Sequence, residues 1–237
     1  MKKKISYVAL SADILHEGHL NIIKTAHKYG RVIVGLLTDK AILEYKNLPF
    51  LNFEQRMKKI KGIKFVSEVV PQNSFDHTDN LIQFKPDYVV HGDDWKSGPL
   101  RKVRSNAIKV LKKWNGKLIE PKYTKKYSAD IFKKELHETG AAPGIRRERF
   151  NRLLHSKKIV RILESHSPLT GLIIENLKIK KNNSFLEFDG MWSSSLTDST
   201  LRGKPDNQSV DYSIRISGLG EILDVTTKPI IFDGDNG

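Results

Sequence analysis

Apolar residues in this chain fall into short continuous blocks, separated by stretches whose apolar positions recur every three or four residues. Ile5–Leu10 (ISYVAL) and Arg31–Leu37 (RVIVGLL) are blocks of the buried-strand type. Between them, His19–Tyr29 places Leu20, Ile22, Ile23 and Ala26 on one helical face and stops at Gly30. The same reading predicts a basic helix over Glu54–Ile63, strands at Glu68–Val70 and Tyr88–His91, and a helix over Leu100–Asn115 closed by Gly116. A strand at Lys117–Glu120 and a helix over Ser128–His137, with Ser128 as its N-cap, complete the series. Strands alternating with helices imply an α/β fold with a parallel sheet covered on both faces.

The small, Gly/Pro-rich stretch Thr139–Gly144 (TGAAPG) interrupts this alternation and reads as a boundary. Beyond it the pattern resumes, with strands at Ile159–Glu164, Phe185–Trp192 and Pro229–Asp233 and helices over Leu169–Ile179 and Asp211–Leu223. The expected organisation is a first domain over 1–138, a linker over 139–148 and a second segment over 149–237.

Composition sharpens the picture in two ways. The 237 residues include no cysteine, which excludes disulfides and thiolate chemistry and fits a cytoplasmic protein. No apolar run has membrane-spanning length, and the basic start MKKKISYVAL returns to polarity too soon for a signal peptide, so no membrane partner is expected. The charge is lopsided: residues 1–150 hold 30 Lys and Arg against 16 Asp and Glu, whereas residues 151–237 hold 11 of each. A basic first domain suits phosphate-bearing ligands, although a solvated lysine surface would give the same count. Aromatics are not interleaved with the basic residues, which argues against a nucleic-acid partner.

Candidate chemistry begins at His16-Glu-Gly-His19, between the first strand and the first helix. Open α/β sheets bind ligands there, beyond the carboxyl ends of their strands. A helix start supplies backbone N–H groups to an anion, Gly18 allows close backbone approach, and two imidazoles can donate to phosphate oxygens. A zinc site is the rival reading, without an HExxH pattern or a cysteine to support it.

The span Ser11-Ala-Asp-Ile-Leu-His-Glu-Gly-His19, followed by Gly92-Asp-Asp-Trp95, resembles the cytidylyltransferase family, above all the glycerol-3-phosphate cytidylyltransferases. The resemblance runs from about Ile5 to Leu136. It implies a Rossmann-like nucleotidyltransferase domain, commonly dimeric and hence a homo-oligomer, using Mg²⁺ with CTP as co-substrate. It also implies roles. His16 and His19 would stabilise the transition state, Asp13 would position substrate or metal, and Lys46 and Arg56 would hold the triphosphate. Lys64 would meet the acceptor phosphate where the family usually has an arginine. Gly92, Asp93, Asp94, Thr124 and Ser128 would contact nucleotide or substrate. This sequence departs from the family at Ser11-Ala12, where Thr-Phe is usual, at Ser67, where an aspartate is usual, and at Tyr123–Asp130, where the family's RTxGxST-type segment keeps only Thr124 and Ser128.

A second constellation, Gly190-Met-Trp-Ser-Ser-Ser-Leu-Thr-Asp198 with Asp206 and Asp233-Gly-Asp235, resembles phosphoenolpyruvate mutase of the isocitrate lyase superfamily, from near Phe150 onward. That resemblance implies a (β/α)8-type barrel, of which roughly three of eight units are present, so that the chain reads as part of a bifunctional protein. By it Trp192, Ser194, Ser195 (a glycine in the family), Leu196 and Asp206 would line the substrate, and Asp233 and Asp235 would bind Mg²⁺. A turn after an edge strand explains Asp-Gly-Asp equally well. Together the two resemblances imply CMP transfer from CTP to a small phosphonate or phosphate in phosphonate biosynthesis. The open alternatives are a nucleotide-binding regulatory domain without turnover, and a cytidylyl- or adenylyltransferase acting on a phosphate ester such as glycerol 3-phosphate.

Overall fold

A computed structural model describes residues 3–45, 47–98, 100–122, 137–138, 140–181 and 184–235. They form two compact units, Met1–Lys133 and Lys134–Gly237. Lys46, Thr124, Ser128 and residues 128–136 of the helix expected before the boundary lie outside the described residues.

The first unit runs β1 (Ile5–Leu10), α1 (Glu17–Tyr29), β2 (Arg31–Leu37), α2 (Asp39–Leu43), α3 (Phe53–Lys61), β3 (Glu68–Gln72), α4 (Thr78–Phe84), β4 (Tyr88–Val90), a 3₁₀ turn over Asp93–Lys96, α5 (Leu100–Leu111) and β5 (Lys117–Ile119). All five strands are parallel, in the order β3-β2-β1-β4-β5, with Ile5 facing Arg31 and Ser6 facing Tyr88 in register. The chain crosses from one half of the sheet to the other between β1 and β4, and this reversal opens a crevice at the strands' carboxyl ends.

Continuous apolar runs in β1 and β2 are explained by burial on both faces. Tyr7, Ala9, Ile33 and Leu37 pack with Leu81 of α4 and Val103, Ala107 and Leu111 of α5. Val8, Leu10, Val32, Val34 and Leu36 pack on the opposite face with Ile23 and Ala26 of α1 and Ile60 of α3. One polar thread crosses the first layer. The buried Tyr7 hydroxyl donates to Gln72 Oε1 at 2.6 Å and accepts from Asn80 Nδ2 at 2.9 Å, and Asn80 also donates to the Pro71 carbonyl at 3.0 Å. Gly35 makes room for this hydroxyl, because a Cβ there would lie 1.7 Å from the Tyr7 oxygen.

In the second unit the order is α6 (Pro143–Ser156), β6 (Ile162–Glu164), α7 (Pro168–Asn176), the antiparallel pair β7 (Ile179–Lys181) and β8 (Ser184–Leu186), β9 (Gly190–Ser193), α8 (Ser195–Thr200), α9 (Tyr212–Val225) and β10 (Ile230–Phe232). The sheet is three-stranded and parallel, ordered β10-β9-β6. Its core is small: Met191, Ile174 and Ile222, with Phe188 and Ile230 packed against them.

Three expectations change here. Pro143 and Gly144 open α6 rather than sitting in a linker, since proline in a first turn sacrifices no helix bond. The single strand expected over Phe185–Trp192 is two strands. The break falls beside Asp189, whose buried carboxylate accepts from Lys157 Nζ at 2.5 Å and from the Arg161 N–H at 2.9 Å. Three short helices, α2, α4 and α8, were not expected at all.

Candidate functional site

A cleft of about 280 Å³ opens at the β1/β4 reversal. Its walls come from the end of β1 (Ser11), the start of α1 (His16, Gly18, His19), the end of β4 (His91, Gly92), Asp94, and the aromatic residues Tyr45 and Phe75. The sequence pattern therefore brought His16, Gly18, His19, Gly92 and Asp94 to one place.

His16 is the N-cap of α1 in extended conformation, and His19 lies one turn on. Their rings stack, with centroids 3.9 Å apart and planes inclined by 28°. The His16 backbone N–H donates to His19 Nδ1 at 3.4 Å. With Nδ1 as acceptor, the proton of a neutral His19 sits on Nε2, the nitrogen that can donate to a phosphate oxygen. The backbone N–H groups at this helix start and the dipole of a 13-residue helix add positive potential at the same spot.

Asp13 and Arg56 occupy different positions from those expected. The Asp13 carboxylate accepts from the backbone N–H groups of Phe50 and Leu51, each at 3.0 Å, and so ties the β1–α1 loop to the segment before α3. It is not among the residues that line the cleft. Arg56 is fully buried. Its guanidinium donates to the carbonyls of Ser11 at 2.6 Å, Leu37 at 2.8 Å and Leu51 at 3.2 Å, and to Asp39 at 2.8 Å. Arg56 thus clamps three loops from beneath, with its charge committed to the protein. Lys64 is exposed after α3 and does not line the cleft. Asp93 is not among the residues that line the cleft; its N–H donates to the Pro121 carbonyl at 3.2 Å.

The far wall holds residues that the motif reading missed. His91 stacks on the buried Trp95 at 4.0 Å and 8°, and its Nδ1 donates to the Gly92 carbonyl at 2.9 Å. Trp95 in turn donates from Nε1 to Glu120 at 2.7 Å, and Arg104 grips both oxygens of Glu120 at 2.8 and 2.9 Å. Arg104, with Trp95 assisting, pulls the Glu120 carboxyl down to about 2. Burial lowers the His91 imidazole. His77, 3% exposed and also on the cleft wall, falls to about 3 through burial and the nearby His91, against the pull of Asp76. Its Nδ1 has no hydrogen-bond partner. The motif HGDDW contains His91, but its stacking on Trp95 depends on the turn over Asp93–Lys96, and His77 reaches the site only through tertiary packing.

In the second unit Ser194, Ser195, Asp233 and Asp235 do converge, at the carboxyl ends of β9 and β10. Ser194 caps α8 through the Thr197 N–H at 3.4 Å, and Ser195 Oγ donates to Asp233 at 3.0 Å. Trp192 is 42% exposed in β9, Leu196 is exposed on α8, and Asp206 is exposed in the loop between α8 and α9. The expected metal ligands are both engaged within the protein. Asp235 is paired with Arg215 at 2.8 Å, and both Asp233 oxygens accept hydrogen bonds. Among the described residues, no three His, Asp or Glu side chains gather where they could hold a metal ion.

A five-stranded parallel sheet of this order, with paired histidines at a helix start above its reversal point, defines a Rossmann-like nucleotide-binding domain. The chain belongs to the cytidylyltransferase-like family, which residues 11–135 match. Glycerol-3-phosphate cytidylyltransferase of Bacillus spizizenii is 35% identical over 98 residues, 40% of this chain and 74% of that protein. Ethanolamine-phosphate cytidylyltransferase of Arabidopsis thaliana is 31% identical over 88 residues, 35% of this chain, and the chain spans only 21% of that relative's length. Residues 150–237 match the phosphoenolpyruvate phosphomutase family. A solved phosphoenolpyruvate phosphomutase from Streptomyces platensis subsp. rosaceus shares 26% identity, covering 36% of this chain and 27% of that one with a TM-score of 0.31. No helix among the described residues is long and apolar enough to cross a membrane.

Proposed function

We propose that the first unit transfers CMP from CTP to a small phosphonate or phosphate and releases pyrophosphate. The observation that carries this reading is the stacked His16–His19 pair at the N-terminus of α1, facing the cleft. CTP enters as its Mg²⁺ complex, so that the ion arrives with the substrate. An acceptor oxygen attacks the α-phosphorus in line; the P–O bond to the β-phosphate breaks and its electron pair leaves with pyrophosphate. No protein nucleophile is required, and catalysis rests on positioning and on donors aimed at developing charge. His16 and His19 donate to the phosphates from one side, and Lys46 supplies a further cation. Asp13 and Arg56 act as positioning residues, holding the loops that bear these groups in one frame. His91, stacked on Trp95, which Glu120 holds in turn, forms the opposite wall.

The acceptor class follows from context. A segment matching phosphoenolpyruvate phosphomutase in the same chain supports an acceptor with a carbon–phosphorus bond and, with it, a role in phosphonate biosynthesis. The relatives named for glycerol 3-phosphate and ethanolamine phosphate support a small monoanionic or dianionic acceptor in general.

The test is His16→Ala in the full chain. Turnover is expected to fall by about 100-fold or more, with CTP binding by calorimetry and far-UV circular dichroism largely retained. A variant that releases pyrophosphate at the wild-type rate would remove His16 from the mechanism.

A further inference from the structure

We infer that Arg215 stands in for a divalent cation at the carboxyl ends of β9 and β10, making this end of the sheet a closed ion-pair node. The inference concerns the second unit and is independent of CMP transfer. Arg215 lies in the first turn of α9 and is 6% exposed. Its Nε meets Asp198 at 3.2 Å, one terminal nitrogen meets Asp235 at 2.8 Å, and the other donates to the Asp233 carbonyl at 2.6 Å. The guanidinium also lies over the Phe232 ring, 4.6 Å from its centroid. A planar fork is thereby bonded at each of its three nitrogens and covered on one face.

The carboxylates are equally committed. Asp198 takes a second cation, Arg202, at 3.6 Å. Asp233 accepts from the Ser195 hydroxyl at 3.0 Å and from the Asp235 N–H at 3.1 Å. These bonds, the Asp235 N–H foremost, hold the Asp233 carboxyl below its ordinary range. Magnesium binds through one or two carboxylates with waters completing an octahedron. A magnesium ion here would meet a fixed positive charge already bonded to Asp235. Displacing Arg215 would strand a buried guanidinium beside Asp198 without its remaining partners. Of the two aspartates expected to hold a metal, Asp235 is therefore neutralised by Arg215 and Asp233 is occupied by the Ser195 hydroxyl and the Asp235 N–H, and the cation responsible comes from a helix rather than from the motif.

Manganese binding by the nucleotide-free full chain tests this, read from the free Mn²⁺ signal in electron paramagnetic resonance. Wild type and Asp233→Asn are expected to give superimposable titrations. Retention of Mn²⁺ by wild type that Asp233→Asn loses would overturn the inference. In Arg215→Met, Mn²⁺ affinity is expected to rise by about tenfold or more, and to fall back when Asp233→Asn is added. A folded Arg215→Met chain with unchanged Mn²⁺ binding would show that Arg215 is not what closes the site. If that variant does not fold, the comparison of wild type with Asp233→Asn still decides.

Discussion

His77 shows how a single buried imidazole couples the cleft to pH. Burial and His91 hold it at about 3 in the folded chain, against an ordinary value of 6.5. As pH falls through 6.5 the unfolded chain binds this proton while the folded chain does not, so acid favours unfolding. The contribution is complete above that value and is lost downward toward about 3, at up to about 1.4 kcal/mol per pH unit. Urea denaturation near pH 7 and near pH 5 is expected to show this loss, and His77→Gln should flatten it. An unaltered pH dependence in His77→Gln would mean that the imidazole does not stay neutral. Residues of this kind were hidden in the sequence. His77 carries no motif, and its environment depends on His91 and Trp95, fourteen or more positions away. His16, Gly18 and His19 were legible because a single turn of chain holds their geometry. Asp13 and Arg56 were visible as residues, but their roles were not: both bond to backbone groups dozens of positions distant.

Among the elements, β1, α1, β2, β4, α5 and β5 could be read from hydrophobic spacing because each has one period and a clear stop. The short helices α2 and α4 have too few turns to show a period. Their signals were caps and tertiary packing: Thr38 accepts the Ala41 N–H at 3.3 Å, and Leu81 is buried under α5. Pairing between β1 and β2 is also tight in a way that no propensity conveys. Gly35 faces Tyr7, and an alanine Cβ would intrude on its hydroxyl. Gly35→Ala is expected to destabilise the first unit by about 1–3 kcal/mol, seen as a lower urea midpoint. Tyr7→Phe in the same chain should recover part of the loss by removing the oxygen. A Gly35→Ala chain as stable as wild type would show that the strands adjust without cost. In the second unit, Arg215 was predicted only as a helical residue, since its partners Asp198, Asp233 and Asp235 lie on separate segments.

For the molecule as a whole, the charge asymmetry acquires a meaning from the fold. Residues 1–133 hold 26 Lys and Arg against 13 Asp and Glu, so the positive excess falls on the unit whose cleft has a helix N-terminus and two histidines on its wall, an arrangement that draws in anions. The second unit carries balanced charge and a small core, and its acidic strand ends are closed by Arg215. The two sequence resemblances gave the overall α/β organisation, whereas the internal neutralisation of Asp235 emerged only in three dimensions. Joining a cytidylyltransferase-like unit to a phosphomutase-like segment is what turns a general transferase reading into a phosphonate one. That step carries the account's central claim, and ³¹P NMR of the full chain with CTP, Mg²⁺ and one acceptor at a time tests it most directly. Hydroxyethylphosphonate, aminoethylphosphonate, phosphonopyruvate and glycerol 3-phosphate form the panel. The account predicts a new pair of mutually coupled phosphonate and phosphate resonances with at least one phosphonate, alongside pyrophosphate. A product from glycerol 3-phosphate alone would contradict the phosphonate assignment, and no product from any acceptor would contradict CMP transfer itself.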